Sequence, residues 1–108
     1  MPCSILTIPE FDKNIKALVK RYRNIKQDLK KLTATLENDP TIGTHIVNNC
    51  YKIRVPNSSV PTGKSKGFRV ITYYIDLDNT LYLLSMYSKS DADNISDSTI
   101  TELLKQID

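Results

Sequence analysis

The spacing of apolar residues changes along this chain, and each change marks a change of element. Ser4 to Ile8 is a short apolar run cut off by Pro9, which predicts a strand. From Phe11 the apolar positions Phe11, Ile15, Leu18, Val19 and Tyr22 recur at helical intervals, the stripe of an amphipathic helix with lysines on its other face. Pro9 suits its first turn. A second stripe, Ile25, Leu29, Leu32 and Leu36, follows directly, and Asn24 with Gln27 is spaced as a capping box. The two helices make a hairpin closed off by Asn38-Asp39-Pro40 and Gly43.

The period then falls to two. Tyr51-Lys52-Ile53-Arg54-Val55 alternates strictly, which puts Tyr51, Ile53 and Val55 on one face of a strand and Lys52 and Arg54 on the other. Pro56 to Gly67, with two prolines, two glycines and three serines, reads as a loop. Phe68 to Leu77 and Thr80 to Ser88 are rich in β-branched, aromatic and leucine residues and join through Asp78-Asn79, so they predict a hairpin of long strands. Both are apolar on both faces. They belong in the middle of a sheet, covered on one side by the helix hairpin and on the other by a partner or the C-terminal helix. That helix places Ile100, Leu103, Leu104 and Ile107 on one face, with Ser96 or Ser98 as N-cap. The order is an N-terminal strand, a two-helix hairpin, a three-strand antiparallel meander and a C-terminal helix, which is α+β.

At 108 residues, 40% hydrophobic and 25% charged, the chain predicts one domain over 1–108 with ordinary globular proportions. No run approaches a membrane span, and the N-terminus has neither a basic start nor a long apolar stretch, so a cytoplasmic protein is expected. Two cysteines, Cys3 and Cys50, are too few for a disulfide scaffold. The net charge of +3 conceals a division: residues 1 to 89 hold fourteen Lys/Arg and seven Asp/Glu, residues 90 to 108 one and five. A basic body favours a polyanionic partner, RNA or DNA, and also suits an acidic protein.

Conventional catalysts are scarce. The single histidine, His45, has no Cys or His at metal-ligand spacing, and its separation from Cys50 specifies no third group to orient a nucleophile. Gly63-Lys64-Ser65 lacks the earlier glycine of a phosphate loop, since Ser58 stands there, and a strand follows it where that loop needs a helix. What remains is a set of cations around the strands: Lys52, Arg54, Lys64, Lys66, Arg69 and Lys89, with Tyr87 beside them. The start of one hairpin strand lies beside the end of the next, so Arg69 comes near Tyr87 and Lys89. A two-residue turn at Asp78-Asn79 would pair Arg69 with Ser88; a three-residue loop or one bulge would pair it with Tyr87, on one face. A cationic pocket needs the second register, or Arg69 pointing from the loop end.

Tyr51-Lys52-Ile53-Arg54-Val55, then Gly63-Lys64-Ser65-Lys66-Gly67-Phe68-Arg69-Val70-Ile71 with Tyr73-Tyr74, then Leu83-Leu84-Ser85-Met86-Tyr87-Ser88-Lys89, resemble the RelE/ParE superfamily of bacterial toxins, nearest its HigB-like branch. Tyr22-Arg23-Asn24-Ile25 and Asp28-Leu29 fit as well, so the likeness covers most of the chain. The resemblance implies the toxin of a type II toxin–antitoxin pair, an endoribonuclease that cuts mRNA in the ribosomal A site and is neutralised by a cognate, helix-turn-helix antitoxin. It implies neither a metal nor a cofactor. The ribose 2′-hydroxyl attacks the adjacent phosphate, which calls for a base, cations at phosphorus and an acid for the leaving 5′ oxygen. On matching motifs, Arg54 and Arg69 would clamp the phosphate, Lys64 or Lys66 would orient the backbone or act as acid, Tyr87 would stack on a base or assist proton transfer, and Lys52 and Lys89 would add RNA-binding charge.

The sequence departs from the family at Lys66, where many relatives have a second glycine, and at Lys89, where some have arginine. The catalytic Glu and His pair of one branch is not visible in these strands. Crowding among cations would lower the pKa of a loop lysine toward the range of a base. The resemblance leaves two other readings: a ParE-like gyrase inhibitor, against which Arg54, Arg69, Tyr87 and Lys89 count, and an inactive relative that binds RNA or antitoxin.

Overall fold

The computed structural model describes residues 2–60, 67–92 and 94–107. In chain order these form β1 (Ser4–Thr7), α1 (Pro9–Leu18), α2 (Ile25–Asn38), β2 (Thr44–His45), β3 (Cys50–Val55), β4 (Phe68–Ile75), β5 (Thr80–Ser88) and α3 (Asp97–Leu104). The strands make one five-stranded sheet in the order β1-β5-β4-β3-β2. β1 runs parallel to β5 and the other pairs are antiparallel, so the fold is α+β with a mixed sheet. The meander β3-β4-β5 stands as the alternation implied, and its two doubly apolar strands, β4 and β5, are interior strands of the sheet.

β2 adds a strand between the helix hairpin and β3 that the sequence pattern does not predict. Two residues are too short to show a period. Their turn shows instead: Asn48 and Asn49 both take positive φ, 50° and 63°, and Ile46 N–H donates to Cys50 O at 2.9 Å. Asparagine tolerates this left-handed backbone at little cost, which makes Asn-Asn a hairpin signal. The β4–β5 connection also differs. β4 ends at Ile75, paired with Thr80, and Asp76 to Asn79 form the turn, closed by Asn79 N–H to Asp76 O at 3.1 Å. Leu77, 98% exposed, is a lone apolar residue at the turn, and it made the strand look longer than it is.

The helices end for identifiable reasons. α1 begins at Pro9, whose fixed φ suits a first turn, with extended Ile8 as N-cap. α3 begins at Ser96, whose Oγ accepts from Thr99 N–H at 3.2 Å. α2 has no capping box. Asn24 is drawn away by tertiary partners, its N–H donating to Ser59 Oγ at 2.9 Å and its Nδ2 to Ser58 O at 3.2 Å.

The helix hairpin lies on the sheet face that carries Phe68 and Ser88. Tyr22 packs edge-on to Phe68 with centroids 5.2 Å apart, and its hydroxyl donates to Ser88 Oγ at 3.3 Å. Phe11, Ile25, Leu36, Phe68, Val70, Leu83 and Met86 fill the core there, each worth about 1.5–3 kcal/mol on full burial. On the other face Lys52 Nζ donates to Asn94 Oδ1 at 2.7 Å, which brings the chain ahead of α3 to that side. Among the described residues no helix is long and apolar enough to cross a membrane.

Candidate functional site

The alternation of β3 places Lys52 and Arg54 on the face opposite the helix hairpin. Antiparallel pairing carries that face across two more strands. Arg54 pairs with Arg69 of β4, and Arg69 pairs with Tyr87 of β5. Directly opposed residues of neighbouring strands share a face, so the two arginines and the tyrosine form a row across three strands, each step about 4.8 Å. The row depends on a bulge. Near the turn Thr72 pairs with Leu83, but Ile71 pairs with Ser85, and Leu84 is the extra residue that moves Tyr87 into line with Arg69.

The three members are not equally accessible. Arg54 is exposed and Tyr87 half-buried, while Arg69 keeps only 5% of its surface and its Nη1 donates to Phe68 O at 3.2 Å. Arg54 is therefore the arginine that solvent reaches. Arg69 sits beneath as a buried positive charge next to it. Lys52, half-buried, lies one pair further along the same face. Lys89 continues past β5, its N–H donating to Gly67 O at 3.0 Å. Gly67 cannot be otherwise: a Cβ there would come 2.2 Å from Val55 O. Lys64 and Lys66 lie outside the described residues.

The start of the long loop is tied to α2. Asp28, 5% exposed, accepts from Ser58 N–H at 3.1 Å, and buried Asn57 accepts from Ser59 N–H at 2.9 Å. Between α2 and β3 a groove of about 410 Å3 runs past Asp28, Leu32, Ile53 and Arg54. At the outer side of β5 a second cavity, about 220 Å3, is lined by Ala17, Leu18, Arg21, Met86, Tyr87 and Asp91. Beyond Leu83, where β1 stops pairing, the edge of β5 is covered by Asn14. Asn14 Oδ1 accepts from Met86 N–H at 3.0 Å and from Ser85 Oγ at 3.2 Å, and its Nδ2 donates to Glu10 Oε2 at 2.9 Å.

Asn14 is absent from the sequence reading and Asp28 enters it only within the motif Asp28-Leu29, yet one signal marks both. Asn14 falls on the stripe of Phe11 and Leu18, and Asp28 on that of Ile25, Leu32 and Leu36. A polar residue on a buried stripe needs a partner. His45 and Cys50 form no nucleophilic pair: His45 is exposed on β2 against the edge of Tyr51, whereas Cys50 has no exposed surface and its thiol points to Asn48 O at 3.8 Å. Burial pushes the Cys50 thiol up to about 11, out of range for a thiolate at neutral pH.

No protein-family model matches the chain, and no curated protein sequence matches it. Solved structures do. A free double arginine-to-alanine mutant of the E. coli toxin RelE superposes with TM-score 0.63 at 19% identity, covering 99% of both chains. The isolated E. coli RelE toxin gives 0.56 at 18% identity, over 97% of this chain and 98% of that one. The same mutant toxin in complex with an antitoxin RelBc peptide gives 0.58 at 20% identity, over 99% of each. Helix hairpin, central meander and C-terminal helix are thus those of a toxin fold, and this chain has the RelE fold from end to end.

Proposed function

We propose that the protein is the toxin of a type II toxin–antitoxin pair, and that it is a metal-independent endoribonuclease which cuts mRNA in the ribosomal A site. The observation that carries this reading is the row Arg54–Arg69–Tyr87 across three neighbouring strands. The fold shared with RelE toxins supports it, and a RelE structure holding an antitoxin peptide supports a cognate antitoxin as partner. That antitoxin is a small helix-turn-helix protein encoded next door, and the site of action is the cytoplasm.

In this reading a phosphodiester sits over Arg54, whose planar guanidinium donates two hydrogen bonds to it. The 2′-hydroxyl attacks phosphorus, the bond to the 5′ oxygen breaks, and a cyclic phosphate and a 5′-hydroxyl result. Negative charge builds on phosphorus during the attack, and Arg69 stabilises it from below in a site where water screens little. Tyr87 stacks on the neighbouring base or relays a proton. Lys64 or Lys66 orients the strand or protonates the leaving oxygen. Lys52 and Lys89 hold the RNA on either side.

The test is a translation assay with mapped messenger ends. Arg54→Ala is exposed and should fold normally while cutting at least about 100-fold more slowly, the scale of one lost transition-state contact. Arg69→Gln should abolish cutting and growth inhibition, with circular dichroism and antitoxin affinity checking that the buried position still folds. Full cutting by both variants would refute the assignment. Toxicity that survives both changes and brings DNA-damage signalling would point to gyrase.

A further inference from the structure

The groove between α2 and β3 brings Asp28, a buried carboxylate outside the arginine row, to the same wall as Arg54. We infer that Asp28 is a positioning residue of the cleavage reaction: through Ser58 it anchors the chain that leaves β3 and so fixes Arg54 at the phosphate. The inference deepens the nuclease reading and rests on it.

Arg54 needs this support because of its place on β3. Alternate residues of an antiparallel strand turn their N–H and C=O to opposite sides. Cys50 O accepts from Ile46 N–H at 2.9 Å on the β2 side, so Lys52 and Arg54 turn theirs the same way. β2 pairs only as far as Thr44, opposite Lys52, and among the described residues no strand lies beside Arg54 there. Its backbone is held through its neighbours Ile53 and Val55, which bond β4, and by the chain beyond them.

That chain enters a turn closed by Val60 N–H to Asn57 O at 3.3 Å. Three hydrogen bonds tie the turn to the start of α2. Ser58 N–H donates to Asp28 Oδ2 at 3.1 Å, Asn24 Nδ2 donates to Ser58 O at 3.2 Å, and Asn24 N–H donates to Ser59 Oγ at 2.9 Å. Asp28 is the stiffest of these anchors. It lies on the stripe between Ile25, with no exposed surface, and Leu32, with 8%, so packing fixes its own place. Its charge makes the bond to Ser58 stronger than a neutral acceptor would, and the positive end of α2 favours that charge. Ser58 is only four residues from Arg54, so a turn that drifts carries the strand end with it. A guanidinium aligned on a phosphate tolerates little drift, since a misplacement of about 1 Å can cost about 100-fold in rate.

The experiment measures kcat and KM for mRNA cutting by the full chain, together with the Arg54 Nε–Hε resonance, identified by its loss in Arg54→Ala. Asp28→Ala should lower kcat at least about ten-fold with KM unchanged, because a displaced cation still attracts the backbone but no longer fits the transition state. The Arg54 resonance should move. Asp28→Asn keeps an oxygen acceptor for Ser58 N–H and should restore both the rate and the resonance. Asn24→Ala removes another bond of the same anchor at a half-buried position; it should lower kcat in the same direction and replaces Asp28→Ala if that variant does not fold. An unchanged kcat, a rise in KM alone, or equal losses in Asp28→Ala and Asp28→Asn would overturn the anchor. Those outcomes leave cutting by the natural protein intact, and with it the nuclease reading. A natural protein that does not cut removes the nuclease reading instead, and an Arg54 resonance unmoved by Asp28→Ala would then remove the anchor as well.

Discussion

A thiol with no exposed surface holds its proton because its thiolate would lose its hydration, and Cys50 is in that position. Its pKa rises from 9.0 to about 11. Between those values the unfolded chain has lost a proton that the folded chain retains. Stability from this group is therefore complete below pH 9 and is lost as pH climbs toward 11. Urea midpoints of the natural protein should fall across that window relative to Cys50→Ala, which has no proton to lose there. The comparison cancels tyrosines and lysines that titrate nearby. Parallel curves for the two proteins would mean that the thiolate is accommodated in the fold. The same burial explains why this cysteine is packing and not chemistry.

Between residues, the elements follow from short-range rules except where a distant partner intervenes. The helix stripes and the alternation of Tyr51 to Val55 are local facts, and α1, α2 and β3 stand close to where those patterns put them. Arg54 and Lys52 were legible for that reason. The alignment of Arg69 with Tyr87 was not, because it turns on the extra residue Leu84 inside an apolar run with no glycine or polar break to announce it. Asn24 resembles a cap locally, but Ser58 and Ser59 outcompete its own helix for its donors. Asn14 shows the same limit: its place on the stripe of Phe11 and Leu18 is local, and its partner on β5 is not. It acts as a missing strand, offering an acceptor to Met86 N–H where β1 has ended. Asn14→Ala leaves that donor unsatisfied at the edge of β5, at a cost of about 1–3 kcal/mol, measurable by urea unfolding. A loss under about 0.5 kcal/mol would show that water replaces the side chain.

At the scale of the molecule, charge is arranged so that the acidic C-terminal stretch meets the basic body at particular points. Asp91 bonds Arg21 and Asn94 bonds Lys52, while Arg54 stays exposed. A surface of this kind holds RNA through phosphates, and each phosphate it neutralises on a single strand contributes about −0.7 to the slope of log affinity against log salt. For an uncleavable single-stranded RNA, Arg54→Ala should make that slope shallower by about 0.7, whatever the base sequence. Lys105→Gln is the control, since Lys105 caps the end of α3, exposed and 2.9 Å from Glu102, beside Gln106, whose Oε1 accepts from Glu10 N–H at the start of α1. Filter binding at several salt concentrations gives both numbers. An equal slope for Arg54→Ala and the natural protein would take Arg54 off the phosphate. The row would then owe its place to packing, because a cation that releases no counterion on binding is not touching the backbone.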